Sequence, residues 1–146
     1  MTNMGHAKGR VGAIVGTAAL VAAAGCVASQ ATAMADPAGH QVTYTLTSAG
    51  DADFQLFYLT SQPPNKAAYN ADAYSFVKQE PIHLTAGQPW TFTTTLADPQ
   101  WAILTVSSTT HGGQAAPNPH CDIAIDGQIA VAQDGPYNLQ CQLGQW

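Results

Sequence analysis

The sequence predicts an all-β domain, a β-sandwich of seven to eight short strands, carried behind an N-terminal signal peptide. Three observations lead there. Apolar and polar residues alternate in a series of short runs, which is the period of strands with one buried face. Turn residues separate the runs at short intervals: Ala49-Gly50-Asp51, Ala86-Gly87-Gln88-Pro89, Asp98-Pro99, Asp126-Gly127 and Asp134-Gly135-Pro136. No sustained helical period follows residue 35.

The chain of 146 residues divides into a leader, 1–35, and a single domain, 36–146. Lys8 and Arg10 give a positive start, Val11 to Gly25 is an uncharged apolar run, and Ala33-Met34-Ala35 precedes Asp36-Pro37. A positive start, an apolar middle and an A-x-A end form the pattern of a secretory signal, cut after Ala35. Two alternatives stay open. Cys26 closes Ala23-Ala24-Gly25-Cys26, a lipobox-like run without the usual Leu, and would carry a lipid there. The run from Val11 to Ala28 is about 18 residues, close to the shortest that spans a bilayer, and would then anchor the chain.

The domain's strands follow in order. Gln41 to Ser48 sets Val42, Tyr44 and Leu46 against three threonines. Asp53 to Thr60 sets Phe54, Leu56 and Tyr58 on one face, with Phe57 and Leu59 on the other. That second apolar face implies cover by a loop or a partner. Pro63-Pro64 stops pairing and opens an excursion in which Asn65 to Ala71 has room for a helical turn. Strand returns from Tyr74 to Gln79 and again from Pro81 to Leu84. Trp90 to Leu96 alternates Trp90, Phe92, Thr94 and Leu96 with threonines, and Trp101 to Ser107 alternates Ala102, Leu104 and Val106 with Trp101, Ile103 and Thr105. A long Gly/Pro/Ala loop, Ser108 to Pro119, precedes the last three runs.

Those runs carry the two cysteines outside the leader. Cys121, Ile123 and Ile125 alternate inward, and Asp126-Gly127 fits a type I′ hairpin turn with φ > 0 at both residues. Ile129 and Val131 alternate next, and Tyr137, Leu139, Cys141 and Leu143 share one face. Two inward cysteines in an exported chain suggest a Cys121–Cys141 disulfide; two separate buried thiols are the alternative. In a flat three-strand meander their separation exceeds the roughly 7 Å limit on Cα atoms. A bridge therefore requires the last strand to leave the meander for a facing sheet. The expected architecture is an immunoglobulin-like sandwich, although Trp position and cysteine spacing do not match an antibody domain.

Composition excludes some functions. Residues 36–146 hold nine acidic side chains against Lys66 and Lys78; nine minus two leaves a net charge of −7 with histidine neutral. No basic patch exists for phosphate, so no nucleic-acid partner is expected. His40, His83, His111 and His120 form no spaced ligand set; His120 and Asp122 share a strand face and read as polar surface beside the disulfide, so no metal and no cofactor are expected. No G-x-S-x-G occurs, and Asp51 and Asp53 sit at a turn, where Asp is favoured for backbone reasons. No catalytic residues are assigned and the expectation is a non-enzyme. Tyr69, Tyr74, Trp90 and Trp101 are the candidate apolar binding residues, as the rim of a cleft between sheets or simply as core.

Val42-Thr43-Tyr44, Pro89-Trp90, Cys121-x-Ile123-x-Ile125-Asp126-Gly127 and the closing Cys141 together resemble the mycobacterial MmpS-type proteins and their secreted relatives. The resemblance implies a membrane-tethered periplasmic β-sandwich that assists an RND-type transporter exporting lipids or siderophores, with no catalytic residues; an apolar, lipid-like ligand is the expectation of the aromatic cleft instead. The cleavable leader and the Pro63-Pro64 excursion depart from that pattern. The functional expectation is an exported cell-envelope accessory or binding domain, with a soluble secreted protein of unknown partner as the alternative. Localisation is secreted or at the envelope, anchored if the leader stays uncut. The sequence does not speak to oligomeric state.

Overall fold

The computed structural model describes residues 39–110 and 112–146. The leader residues singled out above, Cys26, Ala33, Ala35 and Asp36, lie outside the described residues, as does His111. Among the described residues eight strands form two four-stranded antiparallel sheets. They are β1 (His40–Ser48), β2 (Ala52–Leu59), β3 (Val77–Leu84), β4 (Trp90–Leu96), β5 (Ile103–Ser108), β6 (Pro119–Ile125), β7 (Gln128–Asp134) and β8 (Asn138–Gln142). One sheet has the order β4-β1-β6-β7 and the other β3-β2-β5-β8. The two-sheet architecture is the expected one. Consecutive strands β1 and β2 lie in opposite sheets, whereas the A and B strands of an immunoglobulin domain share one.

The alternation fills the core. From β1 the inward residues are Val42, Tyr44 and Leu46; from β2 they are Phe54, Leu56 and Tyr58, all sealed from solvent. Leu104, Val106, Ile123 and Leu96 join them. At roughly 1.5–3 kcal/mol for each large apolar side chain removed from water, this layer supplies most of the driving force for folding. Cys121 of β6 and Cys141 of β8 are bonded across the two sheets with Cα atoms 6.2 Å apart. The last strand has left the meander, pairing with β5 instead of β7.

Four details differ from the sequence reading. Strand β3 runs unbroken from Val77 through Pro81; it is a sheet edge, so the missing Pro81 N–H costs no ladder bond on an inner strand. Tyr74 and Ser75, expected to open a strand, lie instead in a 3₁₀ turn, Ala73–Ser75. Trp101 belongs to a second 3₁₀ turn, Pro99–Trp101, whose Asp98 side chain accepts from the Gln100 N–H. Ile129 and Val131 do not share a face, because a bulge opposite Ile123/Ala124 shifts the register and turns Ile129 out to solvent.

The excursion after β2 holds helix α1 (Lys66–Ala71), with Asn65 as N-cap accepting from the Ala68 N–H. Its Tyr69 packs on Trp101 and Trp146, at centroid distances of 6.0 and 4.9 Å. Lys66 donates to the Gln145 carbonyl at 2.6 Å and the Trp146 indole to the Trp101 carbonyl at 3.2 Å, tying the last residues to the excursion. Leu59, on the outer face of β2, is fully buried at this end. The second apolar face of β2 is thus covered largely from within the chain.

Two predictions follow from these contacts. Replacing both Cys121 and Cys141 by Ala opens a loop with a sequence separation of 20 and lowers unfolding free energy by about 3 kcal/mol, measured by urea titration. The second concerns pH. The His40 imidazole, 2.7 Å away, and then the Gln41 N–H hold the Asp126 carboxyl below its ordinary value of 3.8. A depressed folded-state value stabilises above the unfolded value, and that contribution is lost as pH falls through the folded one. Asp126→Asn, which retains a carbonyl acceptor, should therefore lose less stability than the parent below about pH 4 in acid–urea titrations.

Candidate functional site

In this antiparallel sandwich the connections β1–β2, β3–β4, β5–β6 and β7–β8 all fall at one end. Each of the four crosses from one sheet to the other, so together they cap the core. Ser48 ties three of them. Its buried hydroxyl lies 2.6 Å from the Gly50 carbonyl oxygen and 3.0 Å from that of Pro117, and its own carbonyl accepts from the Gly87 N–H at 2.9 Å. The Ala49 N–H also donates to Pro117 at 3.0 Å. The fourth connection is joined by Gly135 N–H to the Pro119 carbonyl (3.2 Å) and Asn118 N–H to that of Pro136 (3.1 Å).

These bonds leave a recess of approximately 530 Å³, lined on its polar side by Asp51, Asp53, His83, Thr109, Thr110 and Gln114. A second hollow of approximately 360 Å³ adjoins it, shares Thr110 and Gln114, and continues to Ser108, Tyr137 and Asn138. The recess walls are held from below. His83 Nδ1 sits 2.7 Å from Asp53 Oδ1, across the β2–β3 pairing, and Asp51 accepts from the Ala86 N–H at 2.8 Å. Thr109 donates twice to the Asp53 carbonyl, and the Ser108 N–H reaches both the Tyr137 carbonyl and Asn138 Oδ1. Among the described residues no lysine or arginine lines either hollow.

The four candidate apolar residues are not brought to one place. Tyr69 and Trp101 meet in the cluster with Phe76 and Trp146 at the opposite end, where Trp101 is buried. Trp90 lies on β4 edge-on to Tyr58, 5.0 Å between centroids, with Phe92 beside it. Tyr74 is 74% exposed and has no ring partner among these clusters. Beside Trp90, Tyr58 donates to Glu80 at 2.7 Å, and Glu80 pairs with Lys78 at 2.5 Å. Burial, then the neighbouring Glu80, pushes the Tyr58 phenol far up, while Lys78 holds Glu80 below the usual carboxylate range against the opposing effect of burial. This chain of bonds closes the β3–β4 side with polar groups.

His120 bonds to Asp134 across the β6–β7 pairing, at 2.8 Å, and not to Asp122. Among the described residues no three His, Cys, Asp or Glu side chains converge as metal ligands, and no helix is long and apolar enough to cross a membrane. Thr109, Thr110 and Gln114 of the recess, and Tyr137 and Asn138 of the adjoining hollow, were not among the candidate site residues read from the sequence. A usable signal existed: in an antiparallel sandwich, alternate connections share an end, so counting strands groups these four turns.

A family model described as the Rv2576c beta-sandwich domain matches residues 44–141. Two similar proteins are the uncharacterized protein Rv2576c of Mycobacterium tuberculosis and the uncharacterized protein Mb2606c of Mycobacterium bovis. Each is 43% identical over 132 residues, spanning 88% of this chain and 84% of the relative. These findings overturn the resemblance to MmpS-type proteins and with it the transport-accessory identity. The physical reason is that alternating strands, an Asp-Gly hairpin and two bridged cysteines report an architecture shared by unrelated sandwiches, not a lineage.

The separation of the aromatics has a measurable consequence. Trp101→Ala removes a buried ring contacted by Tyr69 and Trp146, and should cost about 3–5 kcal/mol in urea unfolding. Tyr74→Ala should stay within about 0.5 kcal/mol of the parent.

Proposed function

The chain belongs to the Rv2576c beta-sandwich domain family, and from that premise we propose that it is an exported, non-enzymatic binding domain acting outside the cytoplasmic membrane. The observation that carries export is the Cys121–Cys141 bond. Both residues are fully buried between the sheets, so the bond forms as the domain folds and belongs to an oxidising compartment. The leader pattern, Lys8 and Arg10, the apolar run and Ala33-Met34-Ala35, supports the same reading.

Binding without catalysis is supported by the character of the recess. Its polar groups include the Asp51 carboxylate and the Thr109 hydroxyl, both bonded to backbone atoms, at the loop end of the scaffold where recognition residues concentrate. The cysteines are bonded to each other and offer no thiolate nucleophile. His83 is directed by Asp53, on an exposed surface. With the MmpS likeness gone, the reason for expecting an RND-type transporter goes with it, and the partner is sought at the recess.

Intact mass of the natively expressed, unreduced protein from envelope and medium tests this reading. The expected species is residues 36–146 less two hydrogens. Full-length protein with free thiols in the cytosol would overturn it. A lipid on Cys26 would keep export and fix the protein to the membrane surface.

A further inference from the structure

We propose that the two adjoining hollows at the loop end form one groove that binds a neutral, polyhydroxylated ligand, a short segment of glycan. This inference rests on the binding reading above and names the ligand class. Four features point to it.

The first is size and continuity. Hollows of approximately 530 and 360 Å³ each fall within the roughly 300–1,000 Å³ of small-ligand sites. They share Thr110 and Gln114, so a ligand longer than one sugar can run from His83 to Tyr137.

The second is hydrogen-bonding character. A sugar hydroxyl donates and accepts at once. Carboxylate acceptors at Asp51 and Asp53, hydroxyls at Ser108 and Thr110, and amides at Gln114 and Asn138 present both roles along one path. Asp51 Oδ1 accepts from the Ala86 N–H, and Asp53 Oδ1 lies against His83 Nδ1.

The third is exclusion by charge and polarity. Among the described residues no lysine or arginine lines the groove, two carboxylates do, and residues 36–146 carry −7. Phosphate, sulfate and anionic lipid headgroups are repelled. The apolar residues of its lining, Ala52, Ala115, Ala116 and Pro117, are small and none is aromatic. Asp51, Asp53 and His83 do not converge on a common point as metal ligands.

The fourth is an exposed aromatic at one end of a polar groove. Tyr137 is 42% exposed, while the phenols at Tyr44 and Tyr58 are buried. Its carbonyl is held by the Ser108 N–H, so the ring is presented from a fixed backbone. A phenol ring offers an apolar face to the C–H side of a sugar and a polar edge to its hydroxyls. Because turns and strand ends are already bonded to one another through Ser48, Asp53 and Ser108, little ordering remains to oppose binding.

The test is a two-dimensional amide NMR titration of the oxidised, exported protein. The probes are neutral tetrasaccharides of glucose, mannose, galactose and arabinose, with a sulfated tetrasaccharide as comparator. At least one neutral probe should shift the amides of residues 50–53, 83, 108–110, 112–116 and 137–138. The sulfated probe should bind at least about tenfold more weakly. Tyr137→Ala should weaken the neutral probe about tenfold, with Tyr137→Phe close to the parent and Tyr74→Ala unchanged. Thermal unfolding of each variant separates lost binding from lost folding. The proposal is overturned if no neutral probe shifts these amides at millimolar concentration. Shifts elsewhere on the surface, or equal binding of the sulfated probe, overturn it as well. Exported protein that binds no neutral glycan would sink the ligand class alone; cytosolic, reduced protein would sink the reading beneath it.

Discussion

The Cys121–Cys141 bond crosses from one sheet to the other, and the arrangement of the molecule turns on that crossing. A bond between a strand of one sheet and a strand of the other keeps β8 out of the β6–β7 meander and sets it beside β5. The same side of the sandwich is then closed by β7 lying over β8. On the opposite side, β3 and β4 are sheet edges and the seam is filled by aromatic rings and by the Tyr58–Glu80–Lys78 chain of bonds. One edge is fixed covalently; the other is fixed by packing and charge.

The two ends of the sandwich divide the work. One end is apolar and self-contained: α1, the Pro99–Trp101 turn and the last residues bury Tyr69, Phe76, Trp101 and Trp146 against each other. The other end is polar and open. Its four connections all cross between sheets and are held together by Ser48, so the recess is a by-product of capping the core with short, well-bonded turns. Aromatic residues had been the natural candidates for binding, yet most of them serve packing. Large rings are the efficient way to fill a small core, so their presence in a sequence reports burial before it reports recognition.

The family assignment shows a related point about motifs. Val42-Thr43-Tyr44 and Cys121-x-Ile123-x-Ile125-Asp126-Gly127 are what a buried strand and a type I′ hairpin require. Asp126 and Gly127 both adopt positive φ, 50° and 82°, as that turn demands. Sequence features explained so completely by local backbone physics carry little information about ancestry, and a whole-length comparison was needed to replace the MmpS likeness.

The sequence on its own pointed to an all-β sandwich of seven to eight strands, to the shared faces Val42, Tyr44, Leu46 and Phe54, Leu56, Tyr58, and to a facing sheet for the last strand if Cys121 and Cys141 are bridged. Each of these follows from a period of two, from turn chemistry or from a distance limit, all of which act within a few residues or on a single pair. Tertiary structure alone decided three things. The bulge opposite Ile123/Ala124 left Ile129 facing outward, because the extra residue between Ile129 and Val131 puts those two side chains on opposite faces. Placement in the sheets made β3 an edge and so allowed Pro81 inside a strand. The two adjoining hollows join Asp53, His83, Thr110 and Tyr137, residues in or beside four different connections. Which side chains converge there depends on how two sheets stack, and no local pattern in the chain encodes that stacking.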